Sequence, residues 1–75
     1  MKHKDPKFSE ELGKRVEQRM QYLNIDKNRL SEVSGLSRKE ISDIVRGKVN
    51  PQATTITKLA FGLAMTTDEL INFKV

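Results

Sequence analysis

Along this chain the apolar residues recur every third or fourth position and almost nowhere every second one. Such spacing gathers them on one side of an α-helix, so the pattern predicts helices nearly throughout and no strands. Leu12, Val16, Met20 and Leu23 share one face of a first helix. It should begin near Ser9, with Glu10 and Glu11 in the first turn, where acids suit the dipole. Asn24 can take the left-handed conformation that ends a helix, and apolar Ile25 follows it. Asp26 then caps a short second helix carrying Leu30 and Val33, which Gly35 terminates. Ser37 and Glu40 are the two halves of a capping box opening a third helix, buried through Ile41, Ile44 and Val45 and stopped by Gly47. After the loop KVNPQ, residues Ile56, Leu59, Ala60 and Leu63 fall at i, i+3, i+4 and i+7 and mark a fourth helix. Thr66 with Glu69 offers another capping box, for a short fifth helix carrying Leu70 and Ile71. The expected fold is all-α, a compact five-helix bundle over residues 9–71. A flexible basic N-terminal arm, residues 1–8, should precede it, and a tail, residues 72–75, should follow.

Composition narrows the partners. Seventy-five residues make one small domain, near the lower limit at which a core sustains itself. The chain has no cysteine, which excludes disulfides and thiolate metal sites and fits a reducing cytosol. No apolar run is long enough to span a bilayer, and MKHKDPK lacks the apolar stretch of a signal peptide, so the expected location is cytoplasmic with no membrane partner. Fourteen Lys and Arg against ten Asp and Glu give a net charge of +4, a sign that favours a polyanion but serves solubility equally well. The single histidine, His3, lies in the arm between Lys2 and Lys4 and cannot build a triad or a metal site. Four scattered glycines make no phosphate loop. Glu10 with Glu11, and Asp68 with Glu69, read as helix-start acids rather than an acid–base pair. No enzymatic activity, cofactor, metal or small-molecule ligand is expected.

The placement of charge says more than its sum. In GLSRKEISDIVRGK, Arg38 and Lys39 stand at the start of the third helix, the end where the dipole disfavours cations by a few tenths of a kcal/mol. A stable helix alone gives no reason for them. The second and third helices are joined by only about three residues around Gly35, which forces the large crossing angle of a helix-turn-helix.

From Leu12 to Ile71 the chain resembles the Cro/lambda-repressor-like helix-turn-helix family, also called the XRE family. LGKRV in the first helix, RLSEVSGLSRKEISDIVRGK across the motif, NP at 50–51 and ITKLAFGLAMTTDEL carry the likeness. Three departures stand out. Met20 and Val45 occupy positions where the family often pairs Arg with Glu, so a hydrophobic contact should replace a buried ion pair. Ser31 takes the place of a small alanine. Ala64 stands where a glycine is expected after the fourth helix, which would strain a left-handed cap there and make that helix end differ from the family.

In a helix-turn-helix the second helix of the motif enters the major groove and its N-terminal residues meet the base edges. With Ile41, Ile44 and Val45 turned inward, Arg38, Lys39, Ser42 and Asp43 are the candidates for base reading. Arg38 or Lys39 could bond guanine, and Asp43 could accept from cytosine N4. A plainer reading makes Lys39 and Asp43 an i,i+4 surface pair worth about 0.2–0.5 kcal/mol. Backbone-phosphate candidates are Lys27 and Asn28 at the start of the second helix, where exposed amides favour an anion, with Ser37 and Arg46. The resemblance adds Lys48 and Asn50; Lys14 and Arg15 are secondary. Phe61 falls off the stripe of the fourth helix and, with Met65, Thr67, Leu70, Ile71 and Phe73, could form a homodimer interface.

The resemblance implies a sequence-specific regulator binding double-stranded DNA, a repressor acting as a homodimer on a palindromic operator. The alternative is a protein-interaction module, such as an antitoxin or adaptor. That would call for an acidic or apolar third-helix face, which this sequence lacks. RNA binding is disfavoured by the scarcity of aromatics for stacking on unpaired bases.

Overall fold

A computed structural model describes residues 6–72. Five helices follow in order: α1 (Pro6–Leu23), α2 (Lys27–Ser34), α3 (Arg38–Val45), α4 (Ala53–Gly62) and α5 (Thr67–Ile71). The local signals act as expected at most ends. Asp26 accepts a hydrogen bond from the Arg29 amide, and both capping boxes, Ser37 with Glu40 and Thr66 with Glu69, are complete. The start of α1 differs from the expectation. The helix opens on Pro6, whose missing N–H is no loss at a first helical position. Ser9 lies inside the helix, 2% exposed, and donates its hydroxyl to the Asn50 side-chain oxygen beyond α3. Residues 1–5, most of the expected arm with His3, and Phe73 to Val75 lie outside the described residues.

Leu12, Val16 and Met20 of α1, Leu30 of α2, Ile41 and Ile44 of α3, Ile56, Leu59 and Ala60 of α4, with Leu63 and Leu70, form one apolar core closed by Leu36 from the turn. Val45 packs against the same cluster as Met20, in keeping with an apolar contact where the family often has charge. Two glycines set how closely the helices approach. A Cβ on Gly13 would lie 2.5 Å from the Val45 carbonyl oxygen and 2.6 Å from that of Ile44, so α1 runs hard against the last turn of α3. A Cβ on Gly62 would meet the Leu30 side chain at 2.7 Å, bringing α4 equally close to α2.

Three helices end in the same way. The residue past the helix turns left-handed at Asn24 (φ 59°), Gly47 (φ 73°) and Ala64 (φ 58°), and paired amides return to the last carbonyls. At α4 the bonds are Ala64 N–H to the Phe61 carbonyl at 3.1 Å and Met65 N–H to the Ala60 carbonyl at 2.9 Å. The helix end expected to differ therefore keeps the left-handed geometry, with alanine in it. Arg19 supports the turn: its Nε donates to the Leu63 carbonyl at 2.9 Å and its Nη2 to that of Ala64 at 3.2 Å. An L-residue with a Cβ costs about 1–2 kcal/mol in this conformation, and glycine relieves most of it. Ala64→Gly should raise stability by about 1 kcal/mol, which in a domain this small is a rise in melting temperature of about 4–8 °C. Thermal unfolding followed by circular dichroism measures it.

Candidate nucleic-acid interface

The turn between α2 and α3 is tied by its own polar groups. The Gly35 amide donates to the Ser31 carbonyl at 2.9 Å, with Gly35 itself left-handed at φ 83°. The Ser31 hydroxyl donates to the Leu36 carbonyl at 2.5 Å, and the Leu36 amide donates to the Ser34 hydroxyl at 3.1 Å. Leu36 between them is buried. These bonds tie the C-terminal turn of α2 to the residues that lead into α3.

Successive residues of α3 turn by about 100°. With Ile41 and Ile44 in the core, Lys39, Ser42, Asp43 and Arg46 fall on the outward side, and Arg38 lies toward α2. The leading cations are each held within the protein. Arg38 Nη1 donates to the Asn28 side-chain oxygen at 3.1 Å, and Lys39 Nζ donates to Asp43 Oδ2 at 3.0 Å. Asp26, Lys27, Asn28, Arg38, Lys39 and Ser42 together line an open concavity of about 540 Å³ between the two N-termini. The plainer expectation of a Lys39–Asp43 pair is therefore met in the free protein, and the geometry leaves both groups on the outer face.

Electrostatics sharpens the face. The hydrogen bond from Lys39 holds the Asp43 carboxyl below its ordinary range, partial burial opposes this, and Lys48 and Arg46 add to the lowering. Glu40 is also lowered, first by the Ser37 amide and then by the Ser37 hydroxyl. Asp43 is thus a carboxylate among three cations on a surface otherwise dominated by positive charge.

Among the phosphate candidates, Ser37 uses its hydroxyl as an acceptor in the α3 cap. Exposed Arg46 and Lys48 border the outer face, and Asn50 is oriented by Ser9. At the α2 N-terminus, beside Lys27 and Asn28, the Asp26 carboxylate accepts from the Arg29 amide. Arg15, a secondary candidate, donates through Nε and Nη2 to the Glu69 carbonyl at 3.2 and 2.8 Å, fastening α1 to α5. Of the candidate dimer residues, Phe61 is 72% exposed, while Met65 and Ile71 are half-buried against the core and Thr67 is half-buried. Leu70 must be removed from that set. It is fully buried within the chain, where it closes α5 onto the core. Tyr22, 77% exposed with the Arg19 guanidinium 4.9 Å from its ring centre, was not singled out by periodicity because it lies on the polar side of α1. Gly13 was missed as well, although a glycine in mid-helix costs up to about 1 kcal/mol and so signals a close approach.

Two short helices crossing at a locked three-residue turn, with the second helix turning a charged face outward, define a helix-turn-helix DNA-binding domain. The family model described as helix-turn-helix matches residues 16–70, and the chain belongs to that family, in the XRE group. It is similar to the restriction-modification controller protein C.AhdI from Aeromonas hydrophila, whose crystal structure superposes with a TM-score of 0.79 at 27% identity, covering 83% of this chain and 94% of that one. Comparison with curated proteins gives no match. The chain is a DNA-binding transcription regulator. Among the described residues no helix is long and apolar enough to cross a membrane, and no cluster of His, Cys, Asp or Glu could hold a metal ion.

The capping box makes stability depend on acid. A carboxyl lowered on folding contributes stability above its unfolded pKa, and that contribution is lost as the pH falls through the folded value. For Glu40 the ordinary value is 4.5. Stability should therefore hold above about pH 5 and fall below it. Glu40→Gln keeps the box, since glutamine also closes it, but removes this titration. Denaturant unfolding at about pH 6 and about pH 3 should show a smaller loss for the variant than for the wild type.

Proposed function

We propose that this protein regulates transcription by binding a two-fold symmetric DNA site as a homodimer, repressing by occupying an operator, with α3 in the major groove. The carrying observation is the outward set Arg38, Lys39, Ser42 and Asp43, joined to Asn28 of α2 by the Arg38 hydrogen bond. In this reading Arg38 and Lys39 meet base edges, and Ser42 and Asp43 read beside them. Lys27, Asn28, Ser37, Arg46, Lys48 and Asn50 orient the domain on phosphates without reading sequence. The likeness to a restriction-modification controller supports a regulatory role of this type.

The size of α3 argues for two copies. Eight residues span about 12 Å, which is about three or four base steps, too few to specify a site in a genome. A homodimer doubles the count, with half-sites about 34–36 Å apart. Exposed Phe61, with Met65, Thr67 and Ile71, supplies the apolar surface for the partner copy, and Phe73 is proposed to extend it. Phe61→Glu should shift the protein toward monomer in sedimentation equilibrium and weaken binding to the full site more than to an isolated half-site. An unchanged dimer would assign Phe61 another role.

Selection of duplexes from a randomised pool tests the reading itself. One symmetric consensus should emerge. Affinity should fall about 10³–10⁵-fold between about 50 and 200 mM salt if 6–10 phosphates are engaged. Arg38→Ala and Lys39→Ala should each relax preference at particular positions, costing roughly 1–3 kcal/mol there. Equal weakening on every sequence would make both residues phosphate anchors. Failure to retain any duplex would favour a protein-binding role for the same fold.

A further inference from the structure

We infer that Lys39 and Asp43 act as one specificity device: an ion pair that stays closed on the DNA backbone and opens only where the groove offers an acceptor for the ammonium and an amino donor for the carboxylate. The inference rests on the reading just proposed and deepens it by naming the base chemistry selected. The pair lies one helical turn apart on the outer face of α3, with Nζ and Oδ2 3.0 Å apart. Lys39 is 84% exposed in its side chain and Asp43 only 23%, so the ammonium can leave while the carboxylate stays at the helix surface.

The asymmetry of the two partners gives the pair its selectivity. A phosphate is purely an acceptor and carries negative charge. If it draws Lys39 away, Asp43 is left beside it without a donor, and the two anions repel. Phosphate contact therefore gains little from opening the pair, and Lys39 adds little to binding on random sequence. A guanine edge offers O6 and N7 to Lys39 without that charge, and cytosine presents its N4 amino group to Asp43. Both partners are then satisfied again, and the intramolecular pair is exchanged for two contacts with DNA. Residues four apart on a helix lie about 5–6 Å from each other, so the guanine and the cytosine fall in the same or neighbouring base pairs. The other cations near Asp43, Arg46 and Lys48, lie beyond it along the chain and add to the lowering of its carboxyl.

The test compares wild type, Asp43→Ala, Asp43→Asn and the double variant Lys39→Ala/Asp43→Ala on the selected duplex and on a random one, across a salt series. Circular dichroism confirms that each is folded. Removing Asp43 frees Lys39 for phosphate. Both single variants should bind random duplex about three- to tenfold tighter, with a salt slope steeper by about 0.9, the value for one added phosphate contact. On the selected duplex they should bind no tighter than wild type, and the preference for cytosine at one position should fall by roughly five- to a hundredfold. The double variant should return to near wild-type affinity on random duplex. Equal tightening on both duplexes would reduce Asp43 to a simple negative charge and overturn this inference while leaving the proposed function standing. A wild type without sequence preference would overturn both.

Discussion

The close approach of α1 to the end of α3 is the contact on which the rest of the molecule depends. Gly13 lets the backbone of α1 lie against the Ile44 and Val45 carbonyls, where any side chain would collide. At Gly62 a Cβ would meet the tip of the Leu30 side chain at 2.7 Å and the Ser34 Cβ at 3.0 Å, so α4 also passes close to α2. Each helix of the DNA-binding motif is thus seated close to a scaffold helix at a glycine, and at Gly13 the neighbour is rigid backbone. Interiors packed this densely transmit shifts rather than absorb them. The angle at which α3 meets its surroundings is therefore set from behind, by residues that never approach the outer face.

A chain this short has little core to spare, so local devices carry an unusual share of the order. None of α2, α3 and α5 is long enough to be stable alone. Each is instead opened by a side-chain cap, and α2 and α3 are closed by a left-handed residue. Two arginines of α1 finish the arrangement from outside: Arg19 takes the carbonyls that end α4, and Arg15 takes a carbonyl in α5. These bonds hold the last third of the bundle to the first helix. Both guanidiniums are thus engaged with scaffold carbonyls.

What could be read from the sequence divides by distance along the chain. Asp26 with Arg29, Ser37 with Glu40 and Thr66 with Glu69 interact three residues apart, so their chemistry is visible as a short pattern. The apolar stripes fixed the core in the same way, and the outward side of α3 followed from them. The contacts that escaped notice span long stretches: Ser9 to Asn50, Arg19 to Leu63, Arg15 to Glu69. No periodicity reports which polar residue meets which carbonyl across the bundle. Leu70 was misjudged for a related reason. Position on an amphipathic helix shows that a residue is apolar on one face, but not whether that face meets its own core or another molecule. Ala64 was read correctly as a strained position. What was missed is that paired backbone hydrogen bonds and Arg19 hold the family geometry there despite the strain.

Two cations, Arg38 and Lys39, stand at the unfavourable end of the α3 dipole. In the free protein neither Arg38 nor Lys39 is idle: Asn28 and Asp43 supply acceptors that offset the unfavourable dipole. Those partners differ in kind. Asn28 is neutral, so Arg38 keeps its full charge and is merely held in place, which on the proposed reading would lower the entropy lost on meeting DNA. Asp43 is charged, so it needs another donor before Lys39 can leave. One cation of the face is therefore preoriented and the other restrained. On the proposed reading, a face built this way would attract any duplex through its remaining cations, yet yield its full set of contacts only where the bases replace what the protein gives up.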